Sequence, residues 1–223
     1  PQEPRGSEKE LERIPERSRV EEGVRRITKE RPYRHQGRLA VPQSHRLFAG
    51  QVVAMTLPTL AWTGDAATGH LVLLDQTRLP LEVQQRECRR LEDVVESIRS
   101  LRVRGAPAIG VAAAYGVVVG MQPFRESSRE DFDRQLAGVT TTLADSRPTA
   151  VNLAWALARS TGCAANQPEL DSASILDRLL EEAVAIQDED RHTCQAIGRH
   201  GAELMPRGAG VLTHCNAGGL ATA

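Results

Sequence analysis

Val103-Arg104-Gly105-Ala106-Pro107-Ala108-Ile109-Gly110, continued by Val111-Ala112-Ala113-Ala114-Tyr115-Gly116-Val117-Val118-Val119-Gly120, decides the fold. A proline this close to a break suits the first turn of a helix, where its missing N–H costs nothing. The residues that follow are almost all small or apolar, so the pattern predicts a helix over about 107–120. It has no polar face. A helix apolar all round is buried, and small residues let neighbouring backbones come close. The run from Ala106 to Gly120 reads as too short and too rich in Gly and Ala to span a membrane, which takes about 20 residues.

Working outward, Leu91, Val94, Val95, Ile98 and Leu101 fall at helical spacing and predict an amphipathic helix over 89–101. Before it, residues 57–63 and 70–75 read as short strands around a Gly- and Asp-rich turn, and Val83 to Cys88 as a third. Beyond the central run, 129–144 reads as a helix ended by Ser146-Arg147-Pro148, and Ala150 to Ser160 as a further short one. Asp171 or Ser172 suits the cap of a long helical region reaching about Met205, with a break near Gly198 or Gly201. Gly208 and Gly210 then lead into Val211-Leu212-Thr213-His214, read as a short buried strand ending in Cys215-Asn216-Ala217-Gly218-Gly219. The order is α/β: a small β-plus-helical N-terminal domain over 55–205, then the first strand and Gly-rich turn of an α/β domain over 206–223.

Composition sets the class. The chain has 223 residues, 40% hydrophobic but only 3% aromatic, so its core must be built from Leu, Val, Ile and Ala. A net charge of -1 gives no reason to expect nucleic acid or an acidic membrane surface. Cys88, Cys163, Cys194 and Cys215 lack a close-paired spacing. They read as free thiols in a reducing, cytoplasmic setting rather than a disulfide frame or a zinc site. No signal-peptide pattern opens the chain. Residues 1–54 differ from the rest. They hold 12 of the 28 Lys and Arg but 8 of the 29 Asp and Glu, with both lysines (Lys9, Lys29), and Pro4, Pro15, Pro32 and Pro42 scattered among the charges. Such a stretch buries too little apolar surface to offset its ordering entropy. It reads as a disordered or non-native extension, or alternatively as a basic arm for a partner, with Met55 a plausible start.

Three places carry candidate chemistry. At Arg104-Gly105-Ala106-Pro107, glycine lets backbone approach a ligand, the helix start offers N–H donors and arginine a fork of donors. The same pattern also suits a plain helix corner with a solvated arginine. At Ser146-Arg147-Pro148-Thr149-Ala150-Val151-Asn152, the proline keeps Arg147 extended. Its side chain then either reaches into a cleft or lies exposed on a connecting loop, and Asn152 reads as a loop tie. At Thr213-His214-Cys215-Asn216-Ala217-Gly218-Gly219, a strand end before a helix start is how α/β folds build anion sites. A thiol there is drawn towards thiolate by the helix dipole. The alternative is a small cysteine packed under the sheet. His214 reads as internally hydrogen-bonded, and the other three cysteines as packing residues.

Taken in order, Leu74-Asp75-Gln76-Thr77-Arg78-Leu79-Pro80, the Val103–Gly110 segment, Arg147-Pro148-Thr149-Ala150-Val151-Asn152-Leu153 and Thr213-His214-Cys215-Asn216-Ala217-Gly218 resemble the methylthioribose-1-phosphate isomerases over about residues 55 to 223. The resemblance implies an aldose–ketose isomerase of methionine salvage, converting 5-methylthioribose 1-phosphate to 5-methylthioribulose 1-phosphate without metal or organic cofactor. It implies substrate binding at Arg104, Gly105, Ala106 and Arg147, and a catalytic Cys215. It also implies a homodimeric parent with a Rossmann-like second domain, whose catalytic aspartate, glutamine and Asn-Lys pair have no counterpart in these residues. The expectation is therefore of an incomplete active site. Gly219 stands where the family often has alanine. Two related readings stay open: a non-catalytic regulatory subunit of the translation exchange-factor superfamily, and a ribose-1,5-bisphosphate isomerase.

Overall fold

A computed structural model describes residues 58–210, 212, 214 and 217–222. Residues 1–54 lie outside them.

Three short strands, β1 (Leu60–Thr63), β2 (His70–Leu74) and β3 (Gln85–Cys88), form an antiparallel sheet in the order β1-β2-β3. Leu60 sits opposite Leu73, and Leu71 lies between Trp62 and Cys88. The period of two therefore gathers Leu60, Leu71, Leu73 and Cys88 into the buried core.

Among the described residues five α-helices follow: α1 (Leu91–Arg99), α2 (Ala106–Met121), α3 (Arg129–Ala144), α4 (Val151–Ala165) and α5 (Ser172–Glu203). The predicted central helix is the axis of the fold. Every α2 residue from Ala108 to Met121 is buried. It packs against the other four helices and against β1 and β2. Its small residues set the approach. A Cβ built on Gly110 would lie 2.9 Å from the Asn152 carbonyl oxygen, so α4 rests directly on α2 backbone. With the 3-10 turn Gln122–Phe124, the helix runs 19 residues at mean hydropathy 1.3. That is long and apolar enough to cross a membrane by length and composition, which corrects the reading of this run as too short. Yet 78% of the apolar window is buried inside the protein, as a core helix requires.

One buried polar chain ties the layers. The Tyr115 hydroxyl donates to Gln187 Oε1 at 2.5 Å, and Gln187 Nε2 donates to the Leu60 carbonyl at 3.0 Å. Trp62 stacks on Tyr115 with ring centroids 5.4 Å apart. Burial pushes the Tyr115 phenol up to about 12.

Three expectations change. Helix α4 continues past Ser160 to Ala165. Helix α5, capped by Asp171 as predicted, runs unbroken through Gly198 and Gly201. Each glycine costs roughly 1 kcal/mol against alanine, too little to break a helix extended by good formers on either side. The predicted strand at 211–214 has no support among the described residues: Leu212 and His214 are in no strand, and Leu212 is 98% exposed rather than buried. A strand needs a neighbour to pair its N–H and C=O groups, and among the described residues the sheet of β1, β2 and β3 has no fourth member.

Candidate active site

The site is assembled around the N-terminal end of α2. Gly105 is its N-cap, with φ 106° and ψ 136°, a conformation that L side chains avoid. Arg104 is exposed and carries no side-chain partner among the described residues. Pro107 has no N–H to offer. The Ala108 N–H is already used, donating to the Ala221 carbonyl at 3.2 Å. Of the free donors expected at this helix start, the Gly105 and Ala106 N–H groups are left without a partner among the described residues.

The group that caps Ala108 comes from far along the chain. Residues 218–221 form a turn closed by Ala221 N–H donating to the Gly218 carbonyl at 2.9 Å. Ala221 is buried against Gly105. A Cβ on Gly105 would lie 2.4 Å from Ala221 Cα. Two residues that flank the sheet hold the same turn. The Thr59 hydroxyl donates to the Gly219 carbonyl, and Gln76 Nε2 donates to the Leu220 carbonyl at 2.7 Å. The structure therefore brings together three of the four sequence segments: Asp75-Gln76-Thr77, Arg104-Gly105-Ala106 and the glycine turn. Cys215 lies outside the described residues.

Asp75 locks the first two segments to each other. Its carboxylate accepts from the Thr77 N–H at 3.0 Å and from the Thr77 hydroxyl at 2.6 Å, and pairs with Arg102. Arg102 also bonds Glu96 at 2.9 Å, and its carbonyl accepts from the Gln76 N–H at 2.9 Å. Burial pushes the Asp75 carboxyl up, but the Thr77 and Arg102 hydrogen bonds outweigh it and hold the group below the usual carboxylate range. The bond to Glu96, ahead of that to Asp75, keeps the Arg102 guanidinium firmly protonated.

The fourth segment leads into α4. Arg147 is half-buried and has no side-chain partner among the described residues. Asn152 stands within α4 rather than tying a loop, and its backbone packs against α2 at Gly110. Beside that joint, a pocket of about 190 Å³ opens between Pro107, Asn152, Trp155 and Glu189. A wider cleft of about 570 Å³ lies towards the other end of α2, at Val119 and Gly120. At 1.5 Å per residue that is about 20 Å from Gly105, too far to serve this site.

His214 is exposed rather than internally bonded among the described residues. Burial pushes the Cys88 and Cys163 thiols up, which disfavours thiolate and suits their packing role. Sequence reasoning gave Thr59 and Gln76 no individual role. The bond from Gln76 to Leu220 spans 144 residues, and no local pattern signals it.

Comparison with known proteins gives these geometries a context. A model of the initiation factor 2 subunit family matches residues 102–222. A methylthioribose-1-phosphate isomerase from Geotalea daltonii is 47% identical over 169 residues, covering 76% of this chain and 48% of the relative. A 5-deoxyribose 1-phosphate isomerase from Bacillus thuringiensis serovar kurstaki is 50% identical over 163 residues, 73% of this chain and 46% of the relative. Two solved structures share the fold at TM-score 0.66. The translation initiation factor eIF-2B, subunit delta, from A. fulgidus is 35% identical over 75% of this chain and 47% of its own. The 5-methylthioribose 1-phosphate isomerase from Pyrococcus horikoshii OT3 is 36% identical over 75% of this chain and 46% of its own. The chain spans about half the length of the curated relatives it matches.

Proposed function

Because the chain belongs to the initiation factor 2 subunit family, we propose that it forms part of a sugar-phosphate aldose–ketose isomerase, and that its substrate is 5-methylthioribose 1-phosphate, in cytoplasmic methionine salvage. The observation that carries this reading is the docking of the Gly218–Ala221 turn on Gly105. That turn begins three residues after Cys215 in the sequence and packs against Gly105, at the corner that carries Arg104 and Ala106.

The chemistry suits these residue types. A phosphate on the anomeric carbon blocks simple opening of the sugar ring. The enzyme must open the ring, then move hydrogen from C2 to C1, while stabilising the charge that develops. Arg104 and Arg147 supply unpartnered guanidinium forks for the phosphate. Gly105 and Ala106 allow the sugar close to backbone. Cys215 acts near C1 and C2, in proton transfer or in charge stabilisation. Relatives named for 5-methylthioribose and 5-deoxyribose substrates support an uncharged group at C5 over a second phosphate. The parent is proposed to be a homodimer that needs no cofactor.

A second reading, a regulatory subunit without turnover, is favoured by the equal fold similarity to the A. fulgidus protein. Turnover of 5-methylthioribose 1-phosphate, 5-deoxyribose 1-phosphate and ribose 1,5-bisphosphate by this chain, alone and joined to the remaining half of a relative, separates the readings. Isomerase activity in the joined form, lost by at least about a hundredfold in Cys215→Ala, supports the enzyme. Sugar-phosphate binding without turnover in either form moves the assignment to the regulatory module.

A further inference from the structure

The Asp75-Gln76-Thr77 segment has no role in the reading above, yet it touches both halves of the site. Its backbone and Asp75 fix Arg102, two residues before Arg104. Its Gln76 side chain fixes Leu220 at 2.7 Å, in the turn that packs on Gly105. Gln76 is 6% exposed, so water does not compete for that bond, and its Oε1 has no partner among the described residues. A buried amide with an orphaned oxygen is costly unless its other end does something the fold needs.

We propose that Gln76 is a positioning residue: it sets the register of the Gly218–Ala221 turn against the Arg104-Gly105-Ala106 corner, and thereby the geometry of the site. The proposal rests on the isomerase reading for its consequence in turnover, but not for the docking itself. Thr59 is the second point of the same clamp, through Gly219. Both donors flank the sheet, Thr59 one residue before β1 and Gln76 two after β2, whereas the corner they serve begins α2. The register of the turn is thus set by how the sheet packs on the helices, not by the turn's own sequence.

Gln76→Glu tests this with almost no change of shape. At neutral pH the carboxylate cannot donate, and it sets an oxygen against the Leu220 carbonyl. Once protonated, the same group regains a donor. The readouts are exchange protection of the Ala108 amide, whose acceptor is Ala221, and kcat and KM of the joined protein. The Ile109 amide, bonded to Gly105 at 3.0 Å, is the internal control. The expected result is a loss of Ala108 protection of about tenfold, as for one hydrogen bond, with Ile109 unchanged. Protection returns as the pH is lowered through the carboxyl's titration, and kcat falls further than KM rises. Unchanged Ala108 protection at neutral pH overturns the proposal, as does a loss that acid does not reverse. If the docking result holds while the unsubstituted joined protein turns over nothing, the isomerase reading fails and the positioning of the turn by Gln76 stands.

Discussion

Gly105 shows how one residue is chosen twice. Its φ of 106° excludes an ordinary side chain, and the backbone of Ala221 occupies the place a Cβ would take. Sequence reading picked this glycine out for ligand approach. It could not foresee that another part of the same chain makes the close approach. Gly105→Ala is expected to cost at least about 1–3 kcal/mol from backbone strain alone, and to push the 218–221 turn off the corner. A urea titration measures the first effect. An alanine variant as stable as the unsubstituted protein would show that the turn does not rest on Gly105. Arg104 and Arg147 were legible as candidates because arginine beside Gly or Pro in a connecting segment is an economical anion grip. Their lack of partners was not legible, because pairing is decided by what the fold brings near.

At the scale of elements, the periodicities read correctly where one face meets the core. Strands β2 and β3, helix α3 and the start of α5 fall close to their predicted bounds. Helix breaks were harder. The end of α5 at Glu203 falls within two residues of the expected Met205, but the break expected near Gly198 or Gly201 is absent, and nothing lies within 4 Å of a Cβ built on either glycine. From Asp188 onward no residue of α5 is buried, so beyond the ion pair of Glu189 with Arg159 this half leans largely on helix propensity. Gly198→Ala is therefore expected to stabilise this half locally by about 0.5–1 kcal/mol. Slower amide exchange over residues 195–203, with an unchanged global midpoint, is the expected signature. Faster exchange there would mean that the glycine serves a conformation other than helix.

Across the whole molecule, α2 is the axis and the polar chain Tyr115–Gln187–Leu60 is the tie between layers. Tyr115→Phe keeps the ring on Trp62 but strands Gln187 Oε1 in the core. The expected cost is about 1–3 kcal/mol, the penalty for a buried unpaired polar group. An unchanged urea midpoint would show that Gln187 finds another partner. Sequence by itself determined the buried central helix and the three strands, and it singled out the segments proposed to carry the chemistry. Each of these follows from local backbone preference and from the period at which apolar side chains repeat. Only the tertiary structure decided that Gln76 reaches Leu220, that Gly105 packs on Ala221, and that the donors of the α2 start are partly consumed from within the chain. Those outcomes depend on contacts between residues up to 144 positions apart, and no local pattern encodes which distant group will satisfy a buried polar atom.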